Sequence, residues 1–254
     1  SFLTALPTSS NAIEFTRETA FTNNAGEKAE GAGSTESTIT FALANMPISN
    51  ITHHAPITKQ LAADAPSLAA YINNRMAYGV DLKVEQQLAS GNGTTPNISG
   101  LLDSGNFTAH GYSAANLGGT LSKLVLIRKM IADAWAAGYP ADGIVLNPID
   151  FAQIEIETLT TAAGQGRVSV NAAGQMTIFG LPVVQSIGVP ADQVLVGAFA
   201  QSATVHNRAG VVIEMSDSHN GTFIEGVLTI KATRRLALTV ERPAGIIAGD
   251  LTPA

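Results

Sequence analysis

The sequence predicts an α+β protein in which an extended β-hairpin arm, one unusually long helix and a compact α/β lobe are strung on a single chain. Three observations carry this reading. Two alternating segments flank a long polar tract, apolar residues recur every four positions over about 25 residues, and short apolar strands alternate with helices between roughly residues 115 and 205.

Ile13 and Phe15 alternate with Glu14 and Thr16, and Ile39, Phe41 and Leu43 alternate with Thr38, Thr40 and Ala42, which is the two-residue period of strands. A further extended stretch runs through Ile48, Ile51 and Ile57. Between the first two strands, Thr22 to Ser37 is a tract of 16 residues with Gly26, Gly31 and Gly33 among Glu27, Lys28, Glu30 and Glu36, and no large apolar side chain. Two strands joined this way have no private core at their tip. The tract is therefore either a plain surface loop or an arm that becomes ordered on a neighbouring subunit.

Asp64-Ala65-Pro66 is a helix-start signal, because a capping carboxylate precedes a proline tolerated in the first turn. Behind it Leu68, Ile72, Met76, Val80 and Val84 form a ridge flanked by Tyr71 and Leu88, ending at Gly91-Asn92-Gly93. About 25 residues at 1.5 Å each give a helix of roughly 37 Å, twice the usual length, so it reads as a strut. Gly79 in its middle costs about 1 kcal/mol against Ala and marks a close packing contact or a bend.

Gly91 to Gly111 reads as connecting loop, and a second helix is expected from about Asn116 to Ala137. Gly143 to Leu146 is a short strand stopped at Asn147-Pro148, with a helix from Pro148 to about Thr161. Gly164 to Gly174 reads as loop, Met176 to Val184 and Gln193 to Phe199 as buried strands. Val211 to Met215 and Gly221 to Ile230 read as two strands joined through Asp217-Ser218-His219-Asn220-Gly221, followed by an apolar stretch to Val240 interrupted by Lys231, Arg234 and Arg235.

Charged residues are only 13% of the chain, so its surface is dominated by Ser, Thr, Asn, Gly and Ala. Such a surface suits burial against copies of itself, and equally a lightly charged secreted domain. A net charge of -6 argues against a strong nucleic-acid binder, since neutralising phosphates takes clustered Lys and Arg. With no cysteine, disulfides, thiolate metal sites and a thiol nucleophile are excluded. No apolar run approaches the length of a membrane span, so a soluble chain is expected, with an amino end that is either processed or continues before Ser1.

Enzyme signatures are missing. There is no phosphate-binding Gly-x-x-x-x-Gly-Lys, no dinucleotide-type Gly-x-Gly-x-x-Gly after a strand, and no Gly-x-Ser-x-Gly elbow. His53 and His54 are adjacent on an extended segment and point to opposite faces, which is wrong for one metal. His110, His206 and His219 are isolated, and Glu155 and Glu157 sit two apart on a helix without facing each other. Asp217, Ser218 and His219 lie together in a turn without the rigid support a triad needs. No enzyme, cofactor or metal is expected.

Several strings in order carry a resemblance: Asn11-Ala12-Ile13-Glu14-Phe15, Phe21-Thr22-Asn23-Asn24-Ala25, Asp64-Ala65-Pro66 leading to Tyr71-Ile72-Asn73-Asn74-Arg75 and Tyr78-Gly79, then Gly143-Ile144-Val145-Leu146-Asn147-Pro148 with Asp150. Further on come Gly180-Leu181-Pro182-Val183-Val184, Val196-Gly197 with Phe199, and Leu228-Thr229-Ile230 with Arg235-Leu236-Ala237-Leu238 and Arg242-Pro243. Together they resemble the major capsid proteins of tailed bacteriophages with the Hong Kong 97-type fold.

The resemblance implies the end of an N-terminal arm over 1–12, an E-loop hairpin over 13–57, and a P-domain over 58–125 and 206–254 with its spine helix at 66–90. The A-domain would then cover 126–205. It implies a shell subunit that assembles as hexamers and pentamers around phage DNA. A portal protein, and decoration or scaffolding proteins, would be its other partners, with loose DNA contact and no membrane. Such a subunit belongs to the virion and is assembled in the bacterial host cytoplasm. Some members lock their shells with an isopeptide bond between a lysine and an asparagine, promoted by a glutamate. The matched strings put Ser34, Gly226 and Thr233 at those positions, so a shell without that crosslink is expected. Its contacts would then include the acidic arm tip, Glu27, Lys28, Glu30 and Glu36, against basic groups such as Arg234, Arg235 and Arg242 of a neighbour. The alternative is an encapsulin, a nanocompartment shell of the same fold around a cargo enzyme. A secreted hydrolase and an adhesin or tail-decoration protein are the readings from other classes.

Overall fold

The computed structural model describes residues 2–60, 66–115, 123–160, 168–170, 174–218 and 222–253. In chain order the strands are β1 (Thr4–Pro7), β2 (Ala12–Thr22), β3 (Thr38–Pro47), β4 (Ser49–Thr58), β5 (Thr108–Ala109), β6 (Gly143–Leu146), β7 (Val168–Val170), β8 (Met176–Ile178), β9 (Leu181–Gln185), β10 (Gln193–Gly197), β11 (Ala203–Ser216), β12 (Val227–Val240) and β13 (Ile246–Asp250). The helices are α1 (Pro66–Ser90), α2 (Lys123–Ala136), α3 (Pro148–Thr160), α4 (Phe199–Ser202) and α5 (Thr222–Glu225).

Three sheets result. A four-stranded sheet runs β1-β11-β12-β4, a seven-stranded sheet runs β5-β13-β10-β6-β9-β8-β7, and β2 pairs only with β3. The helix α1 lies on the four-stranded sheet. Its ridge residues Met76, Val80 and Val84 are buried against Ile230, Ala232, Leu236 and Leu238 of β12, and Ile72 packs at the margin. At about 1.5–3 kcal/mol per buried aliphatic side chain, that ridge is a main hold of the strut on the sheet. A second core lies on one face of the seven-stranded sheet. There Leu126, Ile127, Met130 and Ala134 of α2 and Phe151 and Ile154 of α3 cover Ile144, Leu146, Val194 and Val196.

The two cores meet at β10. Val194 and Val196 face the helices while Leu195 between them faces the first core, so β10 serves both. Asp142 reinforces the join by accepting the Phe199 and Ala200 amides at 2.9 and 2.8 Å, capping the start of α4.

The arm's hairpin is hydrogen-bonded from Ala12 to Pro47, while β4 pairs with β12 along Ser49 to Thr58. Near the end of the sequence β13 pairs with β10, Val196 opposite Ile247. Several expectations of secondary structure are corrected. Gly221 to Ile230 is not one strand: α5 intervenes, and Gly226, at φ 65°, ends it as a left-handed glycine does before β12 begins. Met176 to Val184 is two strands about a turn at Phe179 and Gly180, both with positive φ. The loop expected over 164–174 contains β7, which pairs with β8, while 164–167 and 171–173 lie outside the described residues. The second helix is described from Lys123, and its expected start at Asn116 lies outside the described residues.

Candidate assembly interface

The arm is a two-stranded ribbon, and a ribbon of two strands needs support from elsewhere. Support comes at its root. Arg17 donates from Nε to the Val240 carbonyl at 3.0 Å, from one terminal nitrogen to the Gly105 carbonyl at 3.2 Å and from the other to Asn106 Oδ1 at 2.7 Å. Burial pulls the Arg17 guanidinium below its ordinary value, and Asp103 opposes this. The next residue is held as well: the Glu18 amide donates to the Glu241 carbonyl at 2.8 Å, its carboxylate accepts from the Tyr139 hydroxyl at 2.8 Å, and Arg242 Nε lies 3.4 Å from it. Burial, then that carboxylate, pushes Tyr139 up. Successive strand side chains point to opposite faces, so anchoring both fixes the ribbon's rotation as well as its direction.

Beyond this root Ile39 and Phe21, which face each other across the ribbon, are 50% and 54% exposed. At the root itself Phe41 and Leu43, opposite Glu18 and Thr16 and of one period with Ile39, are 62% and 76% exposed. A row of large apolar side chains left in water is a surface that association would bury.

At the tip, Glu27, Lys28, Glu30, Ser34 and Glu36 are all exposed. The tip turns on itself: Ala32 donates to the Ala29 carbonyl at 3.1 Å, Asn24 Nδ2 to the Glu36 carbonyl at 2.8 Å, and Ser37 Oγ accepts the Asn24 amide at 3.0 Å. Thr35 Oγ1 also bonds the Asn24 carbonyl.

The three arginines expected to receive such acids are engaged within the chain. Arg234 pairs with Asp81 at 2.6 Å and reaches Asn207 at 3.3 Å, Arg235 reaches Asn11 at 3.4 Å, and Arg242 serves the arm root and the Gln201 carbonyl. Gly226 accepts the Lys59 amide through its carbonyl at 2.8 Å, and Thr233 Oγ1 lies 3.0 Å from Thr52 Oγ1 on β4. Gly226 and Thr233 thus bracket the outer half of β12, while Ser34 is carried by the arm.

The histidines separate as their positions predict. His53 faces α1, and His54 lines an open hollow with Glu214, Ser216, Ser218, Thr229 and Lys231. His219 lies outside the described residues; Asp217 instead pairs with Lys59 at 2.8 Å, which holds its carboxyl below the ordinary value. Among the described residues no three His, Cys, Asp or Glu side chains converge as a metal site. No described helix is long and apolar enough to cross a membrane. Sequence reasoning missed the anchors Arg17, Glu18 and Tyr139. Their one signal was two adjacent charges in a strand that otherwise alternates.

Comparison with known proteins places this geometry. Residues 1–251 match the model of the phage capsid family. The chain is 36% identical over 248 residues to the major capsid protein of Enterobacteria phage HK97, covering 96% of this chain and 62% of that protein's length. Among solved structures it is similar to the capsid of an empty GTA particle, with a TM-score of 0.75 at 15% identity over 100% of this chain and 88% of the other. It is also similar to a structure of the phage G gp27 major capsid and gp26 decoration proteins, with a TM-score of 0.72 at 9% identity over 97% and 86% of the two chains.

Proposed function

The chain belongs to the phage capsid family and has the Hong Kong 97-type capsid fold, and from that premise we propose that it is a structural shell subunit that tiles into a closed head around phage DNA. The observation that carries the reading is the arm. A rigidly rooted ribbon with Phe21, Ile39, Phe41 and Leu43 in water is complete only when another surface covers it. Because the arm and what it covers are different surfaces, the contact is head-to-tail, and such contacts form rings where the rotation between subunits closes. Hexamers and pentamers are those rings. The relative matched at 36% identity is a phage major capsid protein, which favours DNA over an encapsulin's cargo as the content.

Domain roles follow in the same reading. The arm is the E-loop, α1 is the spine helix, the four-stranded sheet is the P-domain, and the seven-stranded sheet with α2 and α3 is the A-domain. The shell meets a portal protein at one vertex, and scaffolding or decoration proteins act on its surfaces. Its cohesion is non-covalent, since Ser34, Gly226 and Thr233 supply no amine, carboxamide or carboxylate for an isopeptide bond. The acidic tip, Glu27, Glu30 and Glu36 around Lys28, meets basic groups of a neighbour. Arg234 and Arg242 enter that contact only by sharing their in-chain partners Asp81 and Glu18.

The test replaces Phe21, Ile39, Phe41 and Leu43 together by threonine, which keeps strand propensity and removes the apolar row. The substituted subunit keeps its thermal transition and fails to form closed shells. Shells of normal yield and size would overturn the reading.

A further inference from the structure

The pairing of β2 with β3 carries one irregularity. Arg17 is opposite Ala42 and Glu18 opposite Phe41, but the next pair is Ala20 with Thr40, so Thr19 is an extra residue on β2. This is a β-bulge, two residues set against one. The extra side chain is held on the Thr40 side: Thr19 Oγ1 donates to the Thr40 carbonyl at 3.1 Å and lies 2.8 Å from Thr40 Oγ1. The bulge follows directly on the anchored Arg17 and Glu18, so it acts on the free part of the ribbon.

Strand side chains alternate, and directly opposed residues share a face. Counted in twos from Arg17, Phe21 belongs on the Arg17 side. The extra residue reverses that count. Phe21 is opposite Ile39, which shares its side with Phe41 and Leu43, and so with Glu18. Phe21, Ile39, Phe41 and Leu43 therefore stand on one face, and all of them are exposed. The other face of this stretch holds Ala20, Thr22, Thr38, Thr40 and Ala42, small side chains only. Without the bulge the same sequence would set Phe21 against Thr38, with its ring alone on that face. Two small hollows open where the ribbon meets the body: Phe41 lines one with Gln201 and Arg242, and Phe21 lines the other with Ala137 and Tyr139. A partner lying on the apolar side chains therefore reaches the body as well.

We propose that the bulge at Thr19 gives the arm a single apolar docking face, by carrying Phe21 to the side of Ile39, Phe41 and Leu43, and that a second copy of this chain covers this face and not the Ala and Thr face. The proposal rests on the shell-subunit reading and deepens it: that reading supplies the second copy, and the bulge selects the face it covers. The charged members of this face, Glu14 and Glu18, are both acids, so the second copy meets it with an apolar surface and not with its own acidic tip. Thr19 is a positioning residue.

Two variants remove the bulge and differ in where the apolar side chains fall. Deleting Thr19 leaves the pairs on either side intact and keeps Phe21, Ile39, Phe41 and Leu43 together. Inserting one threonine between Thr40 and Phe41 gives Thr19 a partner, and regular alternation then sends Phe21 and Ile39 to the opposite face while Phe41 and Leu43 stay. Both unassembled subunits keep the wild-type thermal transition, because these side chains lie in water. In electron micrographs the deletion variant forms shells and the insertion variant does not, since each side chain withdrawn from a contact costs about tenfold or more in its association constant. Shells from both variants, or from neither, would overturn the proposal. Should either variant melt below the wild type, the exchange Phe21→Thr with Thr22→Phe replaces the pair, moving one ring across while the backbone stays as it is: lost shells support the proposal, and a native yield overturns it. The register is read separately on the unassembled subunit, where the absence of native cysteine leaves an engineered pair as the only thiols. Phe21→Cys with Ile39→Cys oxidises to a disulfide faster than Phe21→Cys with Thr38→Cys, and the reverse order would overturn the bulge. A wild type that forms no shells removes the shell reading, while the oxidation rates still decide the bulge.

Discussion

Replacing Arg17 by alanine removes three hydrogen bonds at once, and their surroundings set the cost. Asn106 is 1% exposed, and its amide is already oriented by donating to Ser99 Oγ at 2.8 Å and the Gly100 carbonyl at 2.7 Å. Its Oδ1 cannot turn to water, so losing Arg17 leaves a buried acceptor unsatisfied at about 1–3 kcal/mol. The Val240 carbonyl is partly covered and adds about 1 kcal/mol, while the exposed Gly105 carbonyl rehydrates and adds little. The sum is about 3 kcal/mol. For a chain of this size that corresponds to a fall of about 6–12 °C in the transition temperature. Arg17→Lys keeps the charge but can satisfy one acceptor of the three, so it should lie between. The assay is circular dichroism melting of the unassembled subunit for both variants. Refutation would be Arg17→Ala melting within about 2 °C of the wild type, or Arg17→Lys matching it, since either means the fork is not what holds the arm root.

Other outcomes follow from single groups. Burial lowers the His206 pKa from its ordinary 6.5, with the Glu241 charge opposing, and its Nε2 lies 3.0 Å from Thr239 Oγ1. A group depressed this way contributes stability above the unfolded value and loses it as pH falls through the lowered one. The wild type should therefore lose more thermal stability between pH 7 and pH 5 than His206→Gln, and parallel pH profiles would contradict this. The Asp133 carboxylate accepts from the Tyr112 hydroxyl at 2.6 Å, and with burial it pushes that hydroxyl up to about 12. The stability this gives is complete below pH 10 and is lost as pH rises towards 12, so Asp133→Asn should bring one tyrosine's ultraviolet titration back towards 10. Purified shells, boiled in denaturant, should run on a gel as a single subunit band, and a ladder of multimers would contradict the non-covalent reading.

The parts legible in the sequence are those set by local period. The four-residue ridge of α1 and the alternation of Ile13 and Phe15 gave the strut and β2. Period fixes which side chains share a face, however, and does not say whether anything covers that face. Ile39, Phe41 and Leu43 alternate like core residues and lie in water. Pairings between distant segments were not legible either. Nothing local marks β13 as the neighbour of β10, or separates β4 from the arm two residues before it, because such choices are made by packing. At 222–225 the strand expectation failed because Ile224, apolar by type, is 90% exposed at the end of a short helix, and the left-handed Gly226 sets the break. The arm root was illegible for a related reason. Arg17 and Glu18 meet residues between 88 and 224 positions away, and only the folded body brings those together.

The proposed role as a subunit that closes into a shell is tested most directly by electron microscopy of the purified protein, with absorbance at 260 and 280 nm on the same fraction. Closed polyhedral particles of narrow size, containing nucleic acid when taken from infected cells, are the expected result. A monodisperse monomer under every assembly condition would contradict it.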